Sequence, residues 1–175
     1  VVHSHYWLSG WVGSFLRRRW RVPHVAMFHT LGEVKNRAHR GEREADQRIK
    51  TERQVVAVAD RVVAGSAEEK RQLVHLYGAK PHKVEVIPCG VDLDLFRPMD
   101  KVTARDILGF TEPKIVLFVG RIEPLKGVDI LLNAVPQLRD DGEVRVVVAG
   151  GDSQSGKEMM RLRTLALELG IEPNV

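Results

Sequence analysis

Arg121 and Lys126 stand five residues apart in Gly120-Arg121-Ile122-Glu123-Pro124-Leu125-Lys126-Gly127, directly after the apolar run Ile115 to Val119 and before a helical pattern. Two cations at a strand-to-helix junction suit one chemistry above others, the capture of a diphosphate. A terminal glycine lets backbone approach a ligand closely, and a following helix start directs N–H groups at anions. Arg121 contributes a planar fork of donors, Lys126 a compact point charge. If the diphosphate is a leaving group, both cations stabilise the charge that grows on it.

A second group with chemical potential is His29-Thr30, which ends an apolar run at Phe28 and precedes Leu31-Gly32-Glu33-Val34-Lys35. An imidazole, a hydroxyl and an ammonium are thereby placed at one sheet edge, and ligands of open α/β sheets bind at the carboxyl ends of the strands. The bland alternative for His29 is a structural hydrogen bond. His3-Ser4-His5-Tyr6-Trp7-Leu8-Ser9-Gly10 alternates two histidines on one strand face, but with no third ligand in sight no metal site is expected. His5, Tyr6 and Trp7 read instead as ligand lining, with core packing of the two aromatics as the alternative. Gly151-Asp152-Ser153-Gln154-Ser155-Gly156-Lys157-Glu158 comes one residue short of a P-loop, since Glu158 stands where a hydroxyl would hold Mg²⁺. Asp92-Leu93-Asp94 has the shape of a metal-binding aspartate pair, yet it lies in a stretch broken by Gly90 and Pro98, where turn-forming aspartate is the better account.

The elements that must hold these residues follow from periodicity. Apolar runs at Val22 to His29, Arg61 to Gly65, Val84 to Ile87, Lys114 to Gly120 and Val144 to Ala149 are separated by helical patterns, as in parallel strands joined by crossover helices. Ile115 to Val119 and Val146 to Val148 are apolar at successive positions, so both faces of those strands are expected to be covered. Ser66 with Glu69 forms a capping box, and Gly78, Gly109 and Gly170 mark helix stops. Pro136 falls near the end of a helix over Val128 to Leu138. Glu42 to Ala59 reads as one long helix, polar early and apolar late, packing with its second half. An apolar helix from Trp11 to Leu16 leads into Arg17-Arg18-Arg19-Trp20-Arg21. Those cations complement a helix C-terminus, and beside Trp20 they also suit a peripheral contact with an anionic membrane. Both periodicities break between Cys89 and Lys101, the expected interdomain hinge. Residues 1–98 then form the rear part of one Rossmann-like domain and 99–175 the front of a second.

Residues 120 to 127, taken with Ile87-Pro88-Cys89-Gly90-Val91-Asp92, Phe96-Arg97-Pro98 and His3 to Gly10, resemble the nucleotide-sugar-dependent glycosyltransferases of family 4, particularly the sucrose-phosphate synthase and inositol-phosphate branches. The resemblance implies a GT-B fold, two facing Rossmann-like domains with the active site between them. It implies that Arg121 and Lys126 hold the donor diphosphate, that Gly120, Gly150 and Gly151 line the donor side, and that His29 faces the donor sugar. Thr30 and Lys35 would hold an acceptor phosphate, with His5, Tyr6 and Trp7 lining the acceptor side. Where the inositol-phosphate branch has an Arg pair before an Ile, this chain has Gln47-Arg48 before Ile49, which leaves Arg48 as the cation of that pair. The expected reaction is hexose transfer from a nucleoside diphosphate sugar, UDP-glucose or another UDP-hexose, to a small acceptor with retention of configuration, a step of carbohydrate metabolism. No metal cofactor is expected. A glycine-rich loop before Val1 and a pair of glutamates after Val175 would complete the site, so this piece is not expected to turn over alone.

Composition limits the rivals. A net charge of +4, concentrated in the first hundred residues, suits anionic ligands and falls short of the basic stripe of a nucleic-acid binder, so no nucleic acid is expected. Cys89 is the single cysteine, read as a small buried residue, and with no disulfide available the expected compartment is the cytoplasm. Two readings from other classes stay open: a P-loop-like nucleotide-binding protein built on Lys157, and a non-catalytic Rossmann-like binding module.

Overall fold

The computed structural model describes residues 1–38, 43–141, 144–151 and 155–175, those at 139–141 by their backbone. It divides into two compact units, Val1–Leu93 and Asp94–Val175.

In the first unit four parallel strands run in the order β1 (Val2–His5), β2 (His24–Met27), β3 (Arg61–Ala64) and β4 (Val84–Val86). Register is continuous: His5 pairs with Met27, Met27 with Val63, and Ala64 with Val86. Parallel neighbours need crossovers, and helices supply each of them: α1 (Tyr6–Trp20) after β1, α2 (Gly32–Arg37) and α3 (Asp46–Val58) after β2, and α4 (Ala67–Tyr77) after β3. Phe28, Leu31, Ile49, Val55, Val56, Val62, Leu73 and Val84 fill the core between sheet and helices. α4 begins as its cap requires, with Ser66 Oγ accepting from the Glu69 N–H at 3.1 Å, and it ends on Gly78 at φ 70°. The Glu69 carboxylate reaches back to the Gly65 N–H at 2.7 Å, one residue further than a capping box predicts.

Two helices depart from the sequence reading. α3 begins at Asp46, and residues 39–42, including the expected start at Glu42, lie outside the described residues. Its polar first half is as buried as its second: Arg48, Thr51 and Glu52 lie inside together with Ile49, Val55 and Val56. α1 is longer than expected and turns its small residues inward. A Cβ on Gly10 would stand 3.1 Å from Val55, and one on Gly13 would stand 2.5 Å from the His24 ring, so helix and sheet approach where glycine permits. The large residues Leu8, Trp11, Val12 and Phe15 consequently face outward.

The second unit carries β5 (Lys114–Val119) and β6 (Val144–Ala149), parallel from Lys114↔Val144 to Val119↔Ala149. α5 (Lys101–Leu108) precedes them, α6 (Val128–Ala134) joins them through a 3₁₀ segment over Val135–Asp141, and α7 (Gly156–Glu168) follows. Ile122, Val128, Leu132, Val135, Val146, Leu162, Ala166 and Ile171 form its core. β5 is not covered on both faces as predicted. Val116 and Phe118 pack on that core, whereas Leu117 and Val119 are 61% and 73% exposed. Asp92 and Asp94 lie exposed at a turn over residues 93–95, and Cys89 is exposed, contrary to its reading as a buried residue.

Candidate functional site

In the first unit the predicted residues gather at the carboxyl ends of β1 and β2. His5 Nδ1 and His29 Nε2 are hydrogen-bonded at 2.8 Å, with ring planes only 16° apart and centroids at 5.0 Å. That centroid distance is the N–N distance plus the two ring radii, so the imidazoles lie nearly coplanar and end to end rather than face to face. Two nitrogens this close share a proton; each ligating zinc at about 2.0–2.1 Å in a tetrahedral site would hold them farther apart. Among the described residues no group of three or more His, Cys, Asp or Glu has the geometry to hold a metal ion. Both strand ends are backbone outliers, Tyr6 at φ 74° and His29 at φ 63°. For residues with a Cβ the left-handed region is costly and persists only where neighbours over-determine it.

Arg48 holds the residues around these two positions. Its Nη2 donates to the Thr30 carbonyl oxygen at 3.0 Å and to Thr30 Oγ1 at 2.9 Å, and its guanidinium carbon lies 4.8 Å from the centre of the Tyr6 ring. Nη1 pairs with Glu44 at 2.9 Å and Nε with Glu52 at 2.8 Å. Arg48 is 3% exposed. Burial alone would lower its pKa, but the hydrogen bonds and charges of Glu52 and Glu44 outweigh that, and the net direction is upward. The expected ligand cation is thus largely committed to protein partners, and what it presents is the position of Thr30 and Tyr6. Lys35 is likewise paired, its Nζ with Glu44. Burial raises the Glu44 pKa, yet its bonds to Lys35 and Arg48 hold it below the ordinary carboxylate value. Trp7 is half-buried and tilted against Tyr6, ring centres 6.4 Å apart. His29, Thr30 and Lys35 line a cleft of about 380 Å³ whose far wall is the start of α4, with Ser66 and Glu69.

Glu44, Glu52 and Tyr77 were absent from the sequence reading of this site. A capping or catalytic motif would have flagged them; a carboxylate in the polar half of a helix signals nothing by itself.

In the second unit β5 and β6 end side by side. The Gly120 N–H donates to the Ala149 carbonyl at 3.0 Å, and a Cβ on Gly150 would run into the Gly120 carbonyl oxygen, so only glycine fits there. Gly151 follows at φ 109°. Gly120, Gly150 and Gly151 therefore form one glycine-lined edge, and the loop carrying Arg121 and Lys126 rises from it. Ile122, 7% exposed, pins that loop to the core. Arg121 and Lys126 are exposed, and Arg121 Nη2 meets Glu123 Oε1 at 3.1 Å. The helix does not begin at the loop as the sequence suggested. A 3₁₀ turn over Pro124–Lys126 intervenes, its N–H groups at Lys126 and Gly127 bonding Glu123 and Pro124 carbonyls, and Gly127 at φ 72° reverses the chain into α6. The side chains and the glycine edge, more than a helix terminus, are what this loop offers an anion.

In the near-P-loop, Asp152 to Gln154 lie outside the described residues, and Glu158 is engaged by Arg161 at 2.6 and 2.9 Å. Arg17, first of the basic run, is held by Asp60 through two bonds of 2.8 Å, which leaves Arg18, Arg19 and Arg21 as its exposed cations. Among the described residues no helix is long and apolar enough to cross a membrane.

Residues 1–95 match the family described as Glycosyltransferase Family 4, and residues 100–175 match Glycosyl transferases group 1. The chain is 50% identical over 184 residues to a D-inositol 3-phosphate glycosyltransferase of Nocardia farcinica, and 52% identical over 182 residues to that of Geodermatophilus obscurus. These alignments take in 100% and 98% of this chain but 40% of each relative, so the chain spans about 40% of their length. Among solved structures, a sucrose-phosphate synthase from Thermosynechococcus elongatus superimposes with a TM-score of 0.83 at 32% identity, covering 99% of this chain and 43% of that one. Anabaena HepE in complex with UDP gives 0.76 at 20% identity, covering 99% of this chain and 47% of that one, a likeness of fold. The parallel α/β architecture is of the GT-B type.

Proposed function

The chain belongs to glycosyltransferase family 4, and from that premise we propose that it serves a hexosyltransferase, moving a sugar from a nucleoside diphosphate donor to a phosphorylated small acceptor. One observation carries the reading. Arg121 and Lys126 rise from the edge where Gly120 meets Gly150, a shape that admits a diphosphate against backbone and sets two cations beside it. As the bond between the sugar's anomeric carbon and the diphosphate breaks, charge collects on the leaving oxygens, and these cations stabilise it. They supply the neutralisation that a divalent metal gives elsewhere, so no metal is assigned. The acceptor hydroxyl forms the new bond on the face that retains configuration, as the family resemblance implies, with uridine favoured as the donor base.

On the acceptor side, His29 is assigned to the donor sugar and Thr30 to an acceptor phosphate, with Tyr6 and Arg48 at its side. The relatives named for D-inositol 3-phosphate support an inositol phosphate or a related sugar phosphate. The test is hydrolysis of UDP-hexose, and its transfer, by the intact protein. Arg121→Ala and Lys126→Ala should each lower kcat by roughly 10²-fold with unchanged unfolding. Unaltered turnover in both variants would remove the assignment, and absence of turnover in the wild type would favour a binding module. The P-loop alternative is disfavoured by Glu158, whose carboxylate pairs with Arg161 where a Mg²⁺-binding hydroxyl is needed.

A membrane contact is proposed in narrower form than Arg17 to Arg21 suggested. Arg18, Arg19 and Arg21 flank the outward-facing Trp11, Phe15 and Trp20, a combination suited to an anionic interface. Co-sedimentation with phosphatidylglycerol vesicles, lost in Arg18→Glu/Arg19→Glu, is the check; equal partition of the variant would exclude it.

A further inference from the structure

Thr30, Gly32 and Glu33 stand on three separate supports that all lead to one carboxylate. Glu52, on α3, is 0% exposed. Its Oε1 accepts from Arg48 Nε at 2.8 Å, and Arg48 in turn donates to the Thr30 carbonyl and hydroxyl. Its Oε2 accepts from the Gly32 N–H at 3.0 Å and from the Tyr77 hydroxyl at 2.6 Å. The Tyr77 oxygen then accepts from the Glu33 N–H at 2.9 Å. Gly32 and Glu33 open α2, whose N-cap residue Leu31 offers no side-chain bond. The first donors of α2, which a local Ser, Thr or Asp would ordinarily satisfy, are satisfied from two other helices. Gly32 permits the approach: a Cβ there would lie 3.3 Å from Glu52 Oε2 and 3.2 Å from Ile49.

We infer that Glu52 is a positioning residue for the acceptor side of the site: through Arg48, Gly32 and Tyr77 it fixes the loop that carries His29 and Thr30, and thereby discriminates a phosphorylated acceptor from its free hydroxyl counterpart. The inference rests on the assignment of Thr30 to an acceptor phosphate. Glu52 reaches no ligand. A carboxylate is the group required because four lone-pair sites accept three or more donors at once, whereas an amide must turn a donor toward one of them.

The test compares D-inositol 3-phosphate with free inositol as acceptor for UDP-hexose in the intact protein. Glu52→Gln should cut the kcat/KM preference for the phosphorylated acceptor by about tenfold, through the acceptor KM, because a disturbed buried hydrogen bond costs on the order of a tenfold factor in an equilibrium. The KM for UDP-hexose should stay where it is. Tyr77→Phe keeps shape and removes only the hydroxyl, so it serves where Glu52→Gln fails to fold, with a severalfold loss of the same preference expected. A role confined to stability would lower activity toward both acceptors alike and leave their ratio intact, and that result would overturn the inference. Absence of any preference in the wild type would overturn both the inference and the acceptor assignment beneath it; a wild-type preference kept in both variants would overturn the inference alone.

Discussion

His5 and His29, which end neighbouring parallel strands, share one hydrogen bond between ring nitrogens at 2.8 Å, and the backbone of His29 is held at φ 63° while it does so. A residue with a Cβ in that region carries about 1–2 kcal/mol of local strain. His29→Gly should therefore leave the N-terminal unit as stable as the wild type or slightly more so, while sugar transfer falls by two orders of magnitude or more. Thermal unfolding and turnover of the same variant check this, and a loss of stability with activity retained would contradict it.

The partner residue should matter less than His29 itself but in the same direction. His5→Phe keeps an aromatic ring at the strand end and removes the nitrogen that orients His29, so kcat should drop about tenfold with donor KM unchanged. His5→Asn, whose amide can occupy the same hydrogen-bond position, should recover most of it. Steady-state kinetics on the three proteins decides.

A fold-level test lies at the meeting of β5 and β6. Because a Cβ at position 150 would collide with the Gly120 carbonyl oxygen, Gly150→Ala must push the strand ends apart, at roughly 1–3 kcal/mol. The displaced edge should also weaken UDP binding, whereas Gly156→Ala, which meets nothing within 4 Å, should spare it. Urea unfolding and nucleotide titration read the two effects separately.

Two pH limbs are expected in the stability of the first unit, with different origins. His24 is 0% exposed, its Nε2 bonded to Ser4 Oγ at 2.7 Å and its Nδ1 without a partner among the described residues, and burial holds its pKa below the ordinary value. Between its folded and unfolded pKa values the unfolded chain binds more protons, so stability is complete above about pH 6.5 and declines as pH falls below it. His24→Gln should flatten that limb in urea midpoints taken between pH 5 and 8.

The second limb belongs to Asp60. The hydrogen bonds from Arg17, and then from the His24 N–H, hold its carboxyl well below the usual carboxylate range. A depressed acid contributes stability that is present above the unfolded pKa of about 3.9 and is lost as pH drops through the folded one. Asp60→Asn should remove this acid limb, and because the Asp60 charge partly offsets the burial that lowers the His24 pKa, it should deepen the His24 limb. The pair is about a third exposed, so the effect should be modest and shrink with added salt.

Much of the architecture was legible because it rests on local rules. Alternating apolar runs and helical patterns called for parallel strands with crossovers, and Ser66, Gly78 and Gly109 mark helix ends where hydrogen-bond termini and left-handed backbone require those residues. The two cations of the 120–127 loop and the glycines at 150 and 151 were likewise visible as types in a spacing. What spacing did not reveal is that Arg121 pairs with Glu123 and that a 3₁₀ turn, closed by Gly127, separates Lys126 from the helix.

Burial was the quantity that one-dimensional pattern misjudged. Arg48 and Glu52 lie in the polar half of α3, where only the second half was expected to pack, yet they are 3% and 0% exposed because each satisfies the other and both are completed by Thr30, Gly32 and Tyr77. Trp11 and Phe15, apolar residues of α1, face outward, because Gly10 and Gly13 let α1 settle against Val55 and His24 on its small side. From the order of residues alone came the strands, the caps and the chemical types at the strand ends. Which charges go inside, and which groups they hold in place, depended on partners distant in sequence: desolvating an ion is tolerable only where the fold brings its counter-charges and donors within hydrogen-bond reach.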